Sequence, residues 1–159
     1  REIVLDLLQC HNVAGALEKQ QLGCHMLLNM LNAKDLNNKV HVDFAQIAVS
    51  KLGLIARTDD SELCELLILI LCSSSELTGC RDTIVEMELL GFIRSETIHA
   101  NMRLGNAYLT MYQNIANNSE MRDRIIDENL LKRFTAMAEQ KNPEVNLAVM
   151  AALYCVTCR

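Results

Sequence analysis

Cysteine and histidine pairs are the features of this chain that most readily suggest chemistry. Cys155 and Cys158 form a C-x-x-C pair, a spacing used by redox-active dithiols and by one half of many zinc sites. Either role needs further ligands or a strand followed by a helix, whereas this pair lies in an apolar segment with helical periodicity. We therefore predict that Cys155 and Cys158 are packing residues.

Two Cys-His neighbours, Cys10-His11 and Cys24-His25, together contain four side chains of types that bind metals. Adjacent residues on a helix point about 100° apart, so the two members of one pair cannot easily hold the same ion. We predict no metal site at these residues.

All seven cysteines are dispersed among hydrophobic residues, at positions 10, 24, 64, 72, 80, 155 and 158. Disulfide-stabilised secreted proteins usually have an even number of cysteines in short, loop-rich chains. An odd number among apolar neighbours indicates reduced thiols that serve as small core residues. We therefore expect a cytoplasmic protein, with the nucleus as the alternative compartment.

Catalytic motifs are absent from the sequence. It contains no nucleophile elbow, no glycine-rich phosphate loop and no H-E-x-x-H, the patterns that typify hydrolases, nucleotide-binding proteins and zinc proteases. His99 falls at a predicted helix start, and the acidic pairs Asp59-Asp60 and Asp127-Glu128 fall at predicted helix ends, where solvated charge is normal. We predict no catalytic residue, no metal and no cofactor, and hence a protein that is not an enzyme.

The composition favours an all-α fold. Half of the 159 residues are hydrophobic but only 4% are aromatic, and there are six glycines and one proline, Pro143. A β-sandwich would need more turn and β-branched residues. The net charge of −5, without a basic stripe, disfavours nucleic acid as a ligand. The longest apolar run, 66–72, is too short to span a membrane. Because the chain starts at Arg1 without Met, we expect a piece of a longer protein.

Apolar residues recur at three- and four-residue spacing along the chain, which predicts a series of helices. Asp60 or Ser61 and Asn142 are predicted N-caps, with Pro143 at the first helical position. Gly53 is expected to interrupt the third helix, and Ser73–Ser75 to break the pattern after the fourth. The predicted helices are 3–8, 17–31, 42–56, 62–72, 78–87, 88–94, 99–116, 119–127, 130–139 and 144–158.

One segment of the sequence resembles another at a fixed distance. Arg81–Leu90 aligns with Arg122–Leu131 in an Arg-Asp-x-Ile-β-acid-x-x-Leu-Leu pattern, with an offset of 41 residues. The helices that end at 116 and near 157 agree with the same offset. A period near 41 is typical of HEAT and armadillo arrays.

The segment Tyr112–Asn118 is similar to the Leu-x-Asn-Leu-Ala ending of the third helix in armadillo repeats, so the chain resembles that family. The resemblance implies a single domain, 1–159, folded as a right-handed α-solenoid of about three and a half repeats with approximate bounds 1–33, 34–74, 75–118 and 119–159. Armadillo members that bind extended peptides place Trp and Asn on their third helices; here Asn114 matches, but Thr110 stands at the Trp position. We therefore expect a divergent member that binds a folded or helical partner.

Two polar stripes are the predicted partner-binding residues. Arg103, Asn106, Thr110 and Asn114 follow each other at spacings of three, four and four, which places them on one face of a helix. Gln21, His25 and Asn29 form a similar stripe on an earlier helix. The resemblance implies that both face the concave side of the solenoid; the alternative is that each is simply a solvated face.

These observations predict a non-catalytic scaffold or adaptor that binds a protein segment, either a peptide or a helix. If Glu62 and Glu65 flank the same groove, the partner should have some basic character. The alternatives are a structural or self-associating segment of a larger solenoid and, more remotely, a metal-dependent enzyme or redox protein. We expect neither nucleic acid nor a membrane as a partner.

Overall fold

The computed structural model describes residues 1–33 and 39–158. Within them the protein consists of eleven α-helices and one 3-10 helix, without a β-strand. The prediction of an all-α fold is therefore confirmed for the described residues. None of the helices found there is long and apolar enough to cross a lipid bilayer. The chain forms two compact units, Arg1–Ile93 and Arg94–Arg159, and the boundary falls inside the predicted third repeat, 75–118.

The first unit is built around one apolar helix, α5, which packs against α2 and is flanked by α3, α4 and α6. Helix α1 lies so close to α2 that a Cβ atom at Gly23 would be 2.8 Å from the Cβ atom of Leu7. The helices of this unit are α1 (Glu2–Leu8), α2 (Ala16–Asn32), α3 (Lys39–Ser50), α4 (Gly53–Ala56), α5 (Ser61–Ser74), α6 (Thr78–Glu86) and the 3-10 helix Leu89–Phe92.

The second unit is centred on α8, which packs against α7, α9 and α11, while α10 packs against α11. Its core contains three aromatic rings, Tyr108, Tyr112 and Phe134, in edge-to-face pairs with centroids 4.9, 5.7 and 6.2 Å apart, the arrangement that ring quadrupoles favour. The helices are α7 (Ser95–Ile98), α8 (Met102–Ala116), α9 (Ser119–Ile125), α10 (Glu128–Ala138) and α11 (Pro143–Thr157).

The three longest helices after α2 are capped by side chains at a fixed spacing. Asp60 accepts a hydrogen bond from the Leu63 amide, and Asn101 accepts one from the Leu104 amide, each at 3.0 Å. Asn142 accepts from the Glu144 amide at 3.0 Å. Residues 60, 101 and 142 are separated by 41 positions, so the caps recur with the predicted period. Asp60 and Asn142 were the predicted caps and are confirmed.

Two arginines at the same spacing make equivalent hydrogen bonds. Arg81 Nε donates to the carbonyl of Ser75 at 2.5 Å, and Arg122 Nε donates to the carbonyl of Ala116 at 3.0 Å. Each guanidinium thereby reaches the carbonyl six residues before it, at the end of the preceding long helix. Arg81 Nη2 also donates to the carbonyl of Glu76, and Arg122 Nη1 to that of Cys158. The segments aligned in the sequence thus share a structural bond.

Three predicted helix boundaries were wrong. The serines at 73–75 do not break α5 where expected, because the hydroxyls of Ser74 and Ser75 donate to the carbonyls of Leu71 and Cys72 and the helix continues to Ser74. A serine that bonds back into its own helix tolerates helical backbone. Gly53 begins α4 rather than interrupting a helix.

The third error concerns His99. It follows the end of α7, a short helix that the sequence pattern did not predict, and α8 begins only at Met102. The asparagine cap at Asn101 sets that start. The predicted segment 88–94 contains a single turn of 3-10 helix rather than an α-helix.

Candidate functional site

Helix α8 carries the predicted polar stripe on its exposed side. Arg103, Asn106 and Thr110 are exposed and Asn114 is half-buried. The opposite side of the helix is fully covered by the core; its buried residues are Leu104, Tyr108, Met111, Tyr112 and Ile115. The two faces predicted from the spacing are therefore present, and we refer to the four polar residues as the α8 stripe.

A small pocket opens at the first turns of α8 and includes one member of the stripe, Asn106. Its volume is about 150 Å³, close to that of one large aliphatic side chain. The lining comes from the loop before α8, from α8 itself, and from the segments around α10 and α11: Ile98, His99, Asn101, Met102, Gly105, Asn106, Met137, Gln140 and Val145.

Glycine at position 105 helps to keep the pocket open. A Cβ atom there would lie 3.4 Å from the Ile98 carbonyl oxygen and 3.4 Å from Met137 Cε, so any side chain would fill the space at the pocket floor. Ile98, Met137 and Val145 are buried and give that floor an apolar character.

Polar groups form the rim of the pocket. Gln140 Nε2 lies 2.6 Å from His99 Nδ1, and the amide donates to the ring nitrogen. The Asn101 side-chain oxygen is already used by the cap bond to Leu104. An apolar floor with a few placed polar groups is the usual construction of a site that receives one side chain of a ligand. Neither His99 nor Gln140 was singled out as a binding residue from the sequence.

The second predicted stripe lies in the first unit, and much of it is engaged by helix α5. Gln21 Nε2 donates to Asp60 Oδ2 at 3.2 Å, and His25 Nε2 lies 2.8 Å from Glu62 Oε1. Both members of the His25–Glu62 pair remain about half exposed. Asn29 is exposed. Gln21 and His25 thus link α2 to α5, which is a role that their spacing alone did not indicate. Glu62, expected to make the groove acidic, is the partner of His25.

The cysteines differ in their surroundings. Cys24 and Cys80 are buried, as predicted for core residues, and burial raises the pKa of the Cys24 thiol to about 12 and that of Cys80 to about 11. The C-x-x-C pair departs from its predicted packing role, because Cys155 is half-buried while Cys158 lies beyond the end of α11 and is exposed.

Metal-ligating side chains do not converge in the described part of the chain: no group of three or more His, Cys, Asp or Glu residues is placed to hold an ion. Acidic residues at the helix ends have structural partners instead. Asp127 accepts from the Leu130 amide at 2.7 Å and caps α10, as Asp60 caps α5. Two of the acids expected to be solvated are therefore helix caps.

Comparison with known proteins returned no match from family models, from curated protein sequences or from solved structures. The α8 stripe and its pocket are consequently interpreted from their geometry and chemistry.

Proposed function

We propose that the chain is a divergent armadillo-like segment, a right-handed α-solenoid that acts as a non-catalytic scaffold or adaptor by holding a segment of another protein. Support for the repeat comes from recurrence at one spacing. Helices α8 and α11 both begin and end 41 residues apart, and the caps and the arginine bonds recur with them. Stacked repeats favour such recurrence, because each repeat meets the same neighbours.

The observation that carries the binding proposal is that the α8 stripe runs directly into the apolar pocket at Asn106. A face that is merely solvated needs no cavity beside it, whereas binding sites combine an apolar pocket for an anchor residue with polar groups that surround it. The pocket volume of about 150 Å³ suits a single leucine or methionine side chain.

Charge indicates which residue of the partner lies next to that anchor. Arg103 is the one charged member of the α8 stripe and is exposed, and arginine is frequent among the residues that dominate interface energies. We propose that the partner is a peptide or helical segment with an aliphatic anchor and a carboxylate nearby, which the Arg103 guanidinium binds. The free thiols of the described residues support a cytoplasmic location for this interaction.

A random peptide display library tests the proposal with a defined probe. Peptides selected on the wild-type chain should share an aliphatic residue close to an acidic one. We expect Arg103→Glu combined with Asn114→Ala to weaken their binding by about tenfold or more, because it reverses the charge that meets the carboxylate. Circular dichroism should show unchanged helicity, since both residues lie on the outer side of α8.

Arg124→Glu is the matched control. Arg124 is an exposed arginine on α9 outside the stripe, so the same charge reversal there should leave peptide binding unchanged. Selected peptides that bind equally well to the Arg103 variant, or that lack both anchor and acid, would show that the α8 stripe is only a solvated face.

A further inference from the structure

Helix α11 is apolar on two opposite faces. Its fifteen residues include a single charged side chain, Glu144. One face is buried in the second unit through Val145, Val149 and Ala152. The other face exposes three large apolar side chains, Leu147, Met150 and Tyr154, with 71%, 68% and 68% of their surface accessible. A helix that is apolar all round is normally buried on every side.

The two preceding helices at the same spacing show how such a face is normally treated. Position 150 of α11 corresponds, 41 and 82 residues earlier, to Leu109 of α8 and Ile68 of α5. Both of those side chains are completely buried. Helix α5 is as rich in apolar residues as α11, yet its large side chains are covered. The exposed face of α11 therefore departs from a pattern that the chain itself repeats.

We propose that a second copy of this chain covers the face, with the two α11 helices antiparallel across a two-fold axis near Met150 and Ala151. In that register Leu147 of one copy lies level with Tyr154 of the other, and Met150 lies level with Ala151. Large side chains then face each other at both ends, and the small alanine lets the helices approach at the centre. The stripe is thus complementary to itself, as an isologous interface requires.

The charges at the two ends of α11 favour the antiparallel direction. Glu144 is at the first turn, whereas the last turn ends at Cys158, whose carbonyl accepts a hydrogen bond from Arg122. Antiparallel pairing brings Glu144 of one copy to the level of Thr157, beside the arginine end of the other. Parallel pairing would instead place the two Glu144 carboxylates at the same level, where they repel each other.

The exposed area sets the expected strength of the dimer. Leu147, Met150 and Tyr154 expose on the order of 400 Å² per copy, the range in which an apolar patch marks an interaction site. Joining two such patches buries on the order of 800 Å² in total, which corresponds to a weak, transient association. We expect a dissociation constant on the order of 10–100 μM. This interface uses none of the α8 stripe and does not depend on the proposed scaffold function.

Sedimentation equilibrium of the full chain over a concentration series tests the proposal. We expect a monomer–dimer equilibrium that stops at two copies. Met150→Glu should raise the dissociation constant by about tenfold or more, because it buries a charge at the centre of the interface. Ile3→Glu is the matched control, since Ile3 is an equally exposed apolar residue of α1, at 67%, and it should leave the equilibrium unchanged.

Glu144→Gln determines the direction of the helices. Removing this carboxylate weakens an antiparallel dimer, which loses an attraction to Arg122, and strengthens a parallel one, which loses a repulsion. The proposal is overturned by a wild-type chain that stays monomeric at about 1 mM, well above the expected constant. It is equally overturned by masses that keep growing beyond two copies, which indicate a head-to-tail contact, or by an Ile3→Glu effect as large as that of Met150→Glu.

Discussion

The equivalent bonds of Arg81 and Arg122 allow the internal repeat to be tested by its effect on stability. Arg122 donates to two backbone carbonyls, those of Ala116 and Cys158. A hydrogen bond from a charged donor contributes about 1.5–3 kcal/mol. The bond to Cys158 is exposed to water and should lie at the low end of that range. We therefore expect Arg122→Ala to lower the free energy of unfolding of the second unit by about 2–4 kcal/mol.

The distribution of tyrosines provides an assay that reports on this unit. The sequence contains no Trp and three Tyr, at positions 108, 112 and 154, all within the unit Arg94–Arg159. Tyrosine fluorescence during urea denaturation therefore follows the second unit, while far-UV circular dichroism follows all helices. Arg81→Ala should cause a loss of the same order, measured by circular dichroism, because Arg81 also donates to two carbonyls.

Arg124→Ala serves as the control for Arg122→Ala. Arg124 is exposed on the same helix, α9, and its recorded contact is a weak one to the Met121 sulfur at 3.9 Å, so its removal should change stability by no more than about 0.5 kcal/mol. If Arg122→Ala costs no more than Arg124→Ala, the arginine bond does not stabilise the fold, and the structural argument for a 41-residue repeat loses one of its two supports.

Two further predictions concern the core and the thiols. Phe134→Ala should destabilise the second unit by about 3–5 kcal/mol in urea, because the ring is fully buried, whereas Leu131→Ala on the same helix, at 47% exposure, should cost under about 0.5 kcal/mol. At pH 8, iodoacetamide should label exposed Cys158 and spare buried Cys24, as peptide mapping by mass spectrometry will show. Since burial raises the Cys24 pKa from 9.0 to about 12, the unfolded chain releases this proton first, and stability should fall as the pH rises from 9 towards 12. Unchanged urea midpoints between pH 8 and pH 10.5 in a chain that retains its fold would contradict that burial.

Features that depend on neighbouring residues could be predicted from the sequence. The caps Asp60 and Asn142, the proline at the start of α11 and the two faces of α8 all follow from residue type and spacing within one or two turns. The boundary at 73–75 could not be predicted in the same way, because a serine hydroxyl either ends a helix or bonds back into it, and the surrounding packing decides between these outcomes.

The pocket and the links between helices lay beyond the sequence pattern for a different reason. The pocket lining joins His99, Asn106 and Gln140 with Val145, which come from four segments that only tertiary packing brings together. The pairing of His25 with Glu62 likewise joins residues 37 positions apart. Periodicity indicates which face of a helix is polar, but it contains no information on which other helix that face will meet.

The caps at Asp60, Asn101 and Asn142 have a consequence for the time course of folding. Each cap bond joins residues two or three positions apart, so it closes almost no loop and loses little chain entropy. Initiation is the unfavourable step in forming a helix, and a cap that satisfies a free amide assists it. Helices α5, α8 and α11 therefore carry their own initiation signals. During synthesis on the ribosome, each can begin to form as soon as its first turn has emerged, in the order in which the three caps follow one another along the chain.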